Sequence, residues 1–350
     1  MHPKTRKILT LTTRWLLPLM LTCLLLWVLL RKVDFAEMHR IISGGCDYWW
    51  IFAAMLLSVL SHVIRAARWR IQLSSLDIRP PFMALCCSIF GCYALNLVFP
   101  RLGEVWRVTY ISRLRKAPFT TIFGSLVADR LMDTLAVGAL TLLTFIVANS
   151  AINSFLEKYQ IGRDAIALIS SPILWIAAIA VIAVAVLLIR SFRHHPVIAR
   201  LIEWSRQLWQ GFAAVAVMPG RGRFLLLTVA LWGCYFVQLY VAFFAFPFTR
   251  TLCANPDYAF GLTPCLLAFV LSSIGMAIPS NGGLGPWNIA IMFGLAVYGI
   301  SDTEGTTFSI LQWSGQTVML IILGIYTMAY IATSRNKNKS DNDIPTSELR

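Results

Sequence analysis

Long apolar runs recur along this chain, and two of them are broken by proline and glycine. That pattern constrains the fold more than any other feature of the sequence. A helix that crosses a bilayer takes about 20 mostly apolar residues. Runs of this kind fall at about 15–30, 48–64, 119–148, 171–189, 224–246 and 308–333. Two further runs behave differently. FMALCCSIFGCYALNLVF, starting at Phe82, leads into PRLGE, and the segment 263–300 is interrupted by IPSNGGLGP, Ile278–Pro286. The first broken run has basic flanks, Arg79 before it and Arg107–Lys116 after it; the second has none. The expected fold is therefore an all-α polytopic membrane protein. It has about six full transmembrane helices and two oppositely oriented re-entrant helical hairpins, an arrangement compatible with an inverted repeat.

The composition agrees. The chain is 58% hydrophobic and 13% charged, with a mean hydropathy of +0.70, against about 25% charged residues in soluble domains. A net charge of +14 would suit a nucleic-acid partner, but the positions of the charges argue against one. With a cytoplasmic N-terminus, the inner segments carry 22 of the 30 Lys and Arg, the outer segments 6, and Arg101 and Arg130 fall at membrane depth. Acidic residues divide 5 inside, 8 outside and 3 at depth. Positive charge concentrated on one face is the signature of membrane topology, and it suits a leaflet rich in anionic lipid.

The N-terminal Lys4, Arg6, Lys7 and Arg14 precede WLLPLMLTCLLLWVLL without a small-residue cleavage site. That reads as an uncleaved first span. Residues 31–47 form an outer loop with a short surface helix. Residues 190–223 form a cytoplasmic loop, whose Val197, Leu201, Trp204, Leu208 and Phe212 repeat at the spacing of an interfacial helix. Residues 1–333 make one membrane domain, and 334–350 a polar, disordered tail. The eight cysteines, at 23, 46, 86, 87, 92, 234, 253 and 265, contain no CxxC pair and read as small buried apolar residues. Cys46 and Cys253 both fall in outer loops, which leaves a disulfide between them open. No cofactor or metal site is expected.

Breaking a helix inside a bilayer leaves backbone groups that must find partners in protein or water. Transporters use such breaks to line a site at the midplane. Pro100 and Gly103 break the first run, and Glu104 falls in the first turn of the returning helix. Asn281, Gly282, Gly283 and Gly285 make the second turn, with Pro286 at a first helical position. Free amides at each returning half-helix would face the interior as an anion site. Charges at membrane depth are functional candidates by default, and five are present: Arg101, Glu104, Asp129, Arg130 and Asp133. Asp129 and Asp133, four apart, share a helix face. Glu104 can hold either Arg130 or Arg107, which leaves Arg101 the most available cation for a phosphate. A buried network that only fixes helix packing is the competing reading. Arg65, Arg68 and Arg70 end the second span; all three can anchor topology, and Arg65 and Arg68 can equally hold a lipid headgroup. Trp287 either stacks on a ligand or seals the turn, and His62 reads as a satisfied or snorkelling side chain. The sequence has no HExxH, no P-loop and no Gly-x-Ser-x-Gly, so no enzyme is expected.

Four motifs together carry a resemblance. They are Arg65…Arg68-Trp69; Asn96…Pro100-Arg101-x-Gly103-Glu104…Arg107; Asp129-Arg130-x-x-Asp133; and Pro279-x-x-Gly-Gly-Leu-Gly285. In this order they resemble the membrane region of lysylphosphatidylglycerol synthase and the standalone flippase-like proteins built on it, over about 15–333. The resemblance implies movement of a lipid between leaflets. The family often has Glu where Asp129 stands, and Glu where Asn288 stands, which weakens any ion-coupling role at position 288. No counterpart of the synthase's soluble transfer domain is expected, nor synthesis of a lysyl-lipid.

The expected function is a flippase-like transporter of an anionic phospholipid or isoprenoid-linked lipid in a bacterial inner membrane, with both termini cytoplasmic. The headgroup would meet Arg101, Glu104, Arg65, Arg68, Asn96, Asn281, Gly282, Gly283 and Gly285. Asp129, Arg130, Asp133 and Arg107 would order or gate the site. A second copy of the chain or an envelope-synthesis enzyme is the candidate protein partner. The alternatives are a small-anion transporter or channel, and a non-transporting partner of an envelope-lipid enzyme.

Overall fold

The computed structural model describes residues 34–149 and 218–342, with side chains to residue 334. The runs expected as spans at 15–30 and 171–189, the interfacial helix between 190 and 217, and the last tail residues lie outside the described residues. Among those described, the chain forms ten α-helices and three 3-10 turns. In chain order the helices are α1 (Phe35–Ser43), α2 (Tyr48–Ser74), α3 (Phe82–Val98), α4 (Leu102–Arg115), α5 (Phe119–Val147), α6 (Arg221–Ala242), α7 (Pro247–Ala254), α8 (Leu262–Gly275), α9 (Pro286–Ala296) and α10 (Asp302–Asn342).

Starts and stops follow local chemistry. The Asp34 carboxylate accepts from the Ala36 and Glu37 amides and opens α1, the expected surface helix. The Asp47 carboxylate accepts from the Trp49 amide and opens α2. Side-chain acceptors at these N-caps satisfy amides that have no intrahelical partner. Pro118 precedes α5, as the sequence indicates.

Helices α2, α5, α6 and α10 are long and apolar enough to cross a membrane. Their outer faces support that reading: Ile146 is 78% exposed and Met328 72%, side chains that only lipid would cover favourably. The two broken runs form helix pairs instead. Helix α3 has 17 residues and α4 has 14, about 26 and 21 Å at 1.5 Å per residue, short of the ~30 Å hydrocarbon core. In the second pair, the stretch Pro256–Gly275 is apolar and long enough in total. However, Ala259, Phe260 and Gly261 are left-handed, so the continuous helix α8 has 14 residues.

Within each pair the limbs approach closely. A Cβ on Gly103 would lie 1.9 Å from the Cys92 carbonyl oxygen, and one on Gly294 would lie 2.6 Å from the Ala268 Cα. Small residues at such crossings let backbones pack at short range in a membrane. Two large clusters make up most of the core, beside a small one of Ala128, Met218 and Phe224. One joins α6, α8 and α10 around Phe243, Phe246, Phe269 and Phe308; the other joins α2, α3, α4 and α5 around Trp69, Leu85, Ile89 and Ile111.

Two boundaries differ from expectation. Helix α2 does not end near Ile64 but runs to Ser74, and it carries Arg65 and Arg68 inside the fold rather than at a wet interface. Helix α10 continues to Asn342, into the stretch expected to be disordered; Lys and Arg are good helix formers, so the local propensity allows it. Cys46 and Cys253 are free thiols, so the disulfide left open by the sequence does not form.

Candidate functional site

The buried face of α2 is a polar stripe. Ser58, Ser61, His62, Arg65, Arg68 and Gln72 all lie buried there, none more than 4% exposed, spaced three and four apart as one helix face requires. Opposite Arg65 and Arg68 stands α5 with Asp129 and Asp133. Arg65 Nη1 lies 2.8 Å from Asp133 Oδ2 and 3.4 Å from Asp129 Oδ2. Arg68 Nη2 lies 2.8 Å from Asp133 Oδ1 and 2.7 Å from Asp129 Oδ1. Two arginines and two carboxylates one turn apart thus form a closed square. Each charge is neutralised by protein, which is why the α2 arginines need no water and the helix can continue past them.

The square has neighbours. The Tyr235 hydroxyl of α6 accepts from Arg65 Nε at 3.3 Å and Nη2 at 3.1 Å. Thr228 Oγ1 lies 3.5 Å from Arg68 Nη1. Arg130 pairs with Glu104 of α4 and approaches Asp133 at 3.7 Å, so of the two partners the sequence allowed for Glu104, Arg130 is the one paired. Arg107 is fully buried. Its closest carboxylate is Asp129, at 3.8 Å, and its guanidinium lies over the Trp69 ring, 4.4 Å from the centroid. Among the described residues none of its nitrogens has a hydrogen-bond acceptor. Cation–π contact in a desolvated setting contributes about 2 kcal/mol or more and takes the place of those bonds. Among the described residues four arginines and three carboxylates make up the cluster, one positive charge in excess.

The hairpin tips meet beside it. Asn281 Nδ2 donates to the Val98 carbonyl at 3.2 Å, and Arg101 Nη2 donates to the Ala277 carbonyl at 3.2 Å. Arg101 itself is exposed and left-handed, with φ 64°. A non-glycine residue in that region is uncommon, and such strain of order 1–3 kcal/mol clusters at functional sites. Asn96 turns inward: its Oδ1 accepts from the Gly103 amide at 2.9 Å. In the second turn, the Leu284 amide donates to the Asn281 carbonyl. The Gly285 amide donates to Asn288 Oδ1 at 3.1 Å. The expected row of free glycine amides is therefore shortened, because Asn288 caps α9 from within and Asn281–Gly283 form a 3-10 turn of their own. Trp313 Nε1 of α10 donates to the Gly282 carbonyl at 3.0 Å. One turn on, Gln316 joins Gln238 at 3.1 Å and Ser58 at 2.9 Å, which returns to the polar face of α2. Trp287 is half-buried against the core.

Tyr235, Thr228, Gln238, Trp313 and Gln316 went unnoticed in the sequence. Each is a single polar or aromatic residue in an apolar run, a pattern with no local signal. Among the described residues no cluster of His, Cys, Asp or Glu could hold a metal ion.

The described residues thus define a multi-pass membrane protein whose paired short helices meet beside a buried charge cluster. Residues 15–324 match the model of the lysylphosphatidylglycerol synthase TM region. The chain belongs to that family. It is 32% identical over 123 residues to glycosyltransferase AglD of Haloferax volcanii, covering 35% of this chain and 20% of that protein. It is 27% identical over 88 residues to a UPF0104 membrane protein of Methanocaldococcus jannaschii, covering 24% of this chain and 26% of that protein. The chain thus aligns with about a fifth to a quarter of the length of these relatives. No solved structure matches it.

Proposed function

We propose that this chain moves an anionic phospholipid or isoprenoid-linked lipid between the leaflets of a bacterial inner membrane, and that it does so as a transporter rather than an enzyme. Both termini would be cytoplasmic. The observation that carries this reading is the junction of the two hairpin tips, where the exposed Arg101 stands beside a cluster with one uncompensated positive charge. The headgroup phosphate would meet Arg101 and the Gly282 and Gly283 amides while its tails stay in lipid. The square of Arg65, Arg68, Asp129 and Asp133 would hold α2 to α5. The Glu104–Arg130 pair joins α4 to α5 and is the contact that would open when the first hairpin moves.

Vesicles carrying fluorescent anionic lipids test the proposal. Wild type should equilibrate the label, and Arg101→Ala should slow it about tenfold or more, the loss expected for one charged contact. Arg101→Gly should slow it equally while folding at least as stably, because glycine suits the left-handed position. Equal rates for wild type and both variants would sink the assigned role.

A second reading follows from the partial likeness to a protein named a glycosyltransferase: a membrane partner for an enzyme that works on a lipid carrier. Under it, the reconstituted chain moves no lipid, and exchanging the charges of Glu104 and Arg130 leaves function intact so long as the protein stays folded.

A further inference from the structure

A second basic site lies apart from the charge cluster, where the C-terminal end of α2 meets the start of α3 and of α6. Two adjoining cavities occupy this corner. One, of about 400 Å³, has an apolar wall that includes Phe82, Leu226 and Leu227. The other, of about 610 Å³, opens beside Arg79 and Asp77. Arg70 and Arg223 line both cavities. Among the described residues the one carboxylate here is Asp77, 3.6 Å from Arg79. Arg70 lies over the Phe82 ring, 5.9 Å from its centroid, and among the described residues neither it nor Arg223 has an acidic partner. The corner is therefore apolar on the side toward the helices' lipid-facing surface, where Leu226 is 68% exposed, and cationic at the helix ends.

We propose that this corner is a resident binding site for an anionic phospholipid, its phosphate between Arg70 and Arg223 and its first acyl segment along Phe82, Leu226 and Leu227. A soluble phosphate would satisfy the arginines but leave the apolar wall without a partner, so a lipid fits both halves and an inorganic anion only one. Arg70 thus gains a role beyond marking topology. The site is independent of lipid transport: it predicts retained lipid whether or not the protein moves any.

The test uses the full chain extracted in mild detergent and incubated with phosphatidylglycerol or phosphatidylcholine. Native mass spectrometry then counts bound lipids. Wild type should hold phosphatidylglycerol preferentially. Each basic residue near a membrane surface contributes about fivefold in affinity, so Arg70→Gln with Arg223→Gln should weaken retention roughly thirtyfold. Arg70→Lys with Arg223→Lys should restore most of it, and matching thermal melts show that all three proteins are folded. Leu226→Asp should also lower retention, because it places a carboxylate in the tail channel. Equal retention of the two lipids by wild type overturns the proposal. So does undiminished phosphatidylglycerol on the glutamine variant, or displacement of the lipid by millimolar inorganic phosphate.

Discussion

Replacing Asp133 with Asn asks whether the buried square holds the helices together. Asp133 Oδ1 and Oδ2 each sit 2.8 Å from an arginine of α2, and Arg130 approaches at 3.7 Å. Without that carboxylate, Arg68 keeps Asp129 at 2.7 Å, but Arg65 falls back on Asp129 at 3.4 Å and on the Tyr235 hydroxyl. The excess positive charge of the cluster doubles. Removing one member of a buried pair costs about 3–5 kcal/mol, because the remaining charge stays desolvated. Asp133→Asn should therefore destabilise the protein by about that amount. Arg65→Gln should cost a similar sum, since it leaves Asp133 with one close partner. The two together should cost about 1–3 kcal/mol less than their sum, as expected for residues in one network. Unfolding in a denaturing detergent series, followed by tryptophan fluorescence, gives the three free energies. A loss below about 1 kcal/mol for Asp133→Asn, or strict additivity in the double variant, would refute the idea that the square is a single unit.

Asn288→Ala removes the acceptor for the Gly285 amide and should cost about 1 kcal/mol, the usual worth of an N-terminal cap; the same unfolding assay reads it, and an unchanged midpoint would contradict the capping role. Cys46, between α1 and α2, has its thiol pushed up to about 11 by burial first and by the Asp47 carboxylate second. The thiolate is the reactive form, so in a variant keeping Cys46 alone, maleimide labelling near neutral pH should run about a hundredfold slower than at an ordinary thiol of pKa ~9. The rate should climb about tenfold per pH unit until the thiol ionises; a rate already flat above pH 9 would contradict the shift.

The membrane class, the two broken runs and the charged residues of the cluster were legible because each is written in local spacing. Apolar length separates spans from hairpins, Pro and Gly mark the breaks, and an i, i+4 pair of carboxylates marks one face of α5. The fate of Arg65 and Arg68 was not legible. By position they look like interface anchors, and only the arrival of α5 converts them into buried ions. The cap made by Asn288 was not legible for a related reason: the sequence marks the position only as one where the family often has Glu, and the turn that its Oδ1 closes exists only once the glycines before it have bent the chain. The polar chain through Gln238, Gln316 and Ser58 joins three helices far apart in sequence, so no window of the chain contains it.

The arginines fall into two kinds, and the difference bears on what can be moved. Arg65 and Arg68 each face two carboxylates, so drawing either toward a ligand would strip Asp129 or Asp133 of a partner at a cost of several kcal/mol. Arg107 is held differently. Among the described residues it has no hydrogen-bond acceptor and only a distant carboxylate, and it rests on Trp69. An anion that reached it would gain the whole of a charge-assisted bond, worth about 1.5–3 kcal/mol, without breaking a pair. The excess charge of the cluster is thus concentrated on α4, the same helix that Arg101 caps and that Glu104 ties to α5. Under the proposed transport role, a movement that loosened the Glu104–Arg130 contact would bring a ligand toward this least neutralised arginine first. On that proposal the pairing would set the order in which the cluster opens, and the square between α2 and α5 would be the last part to yield.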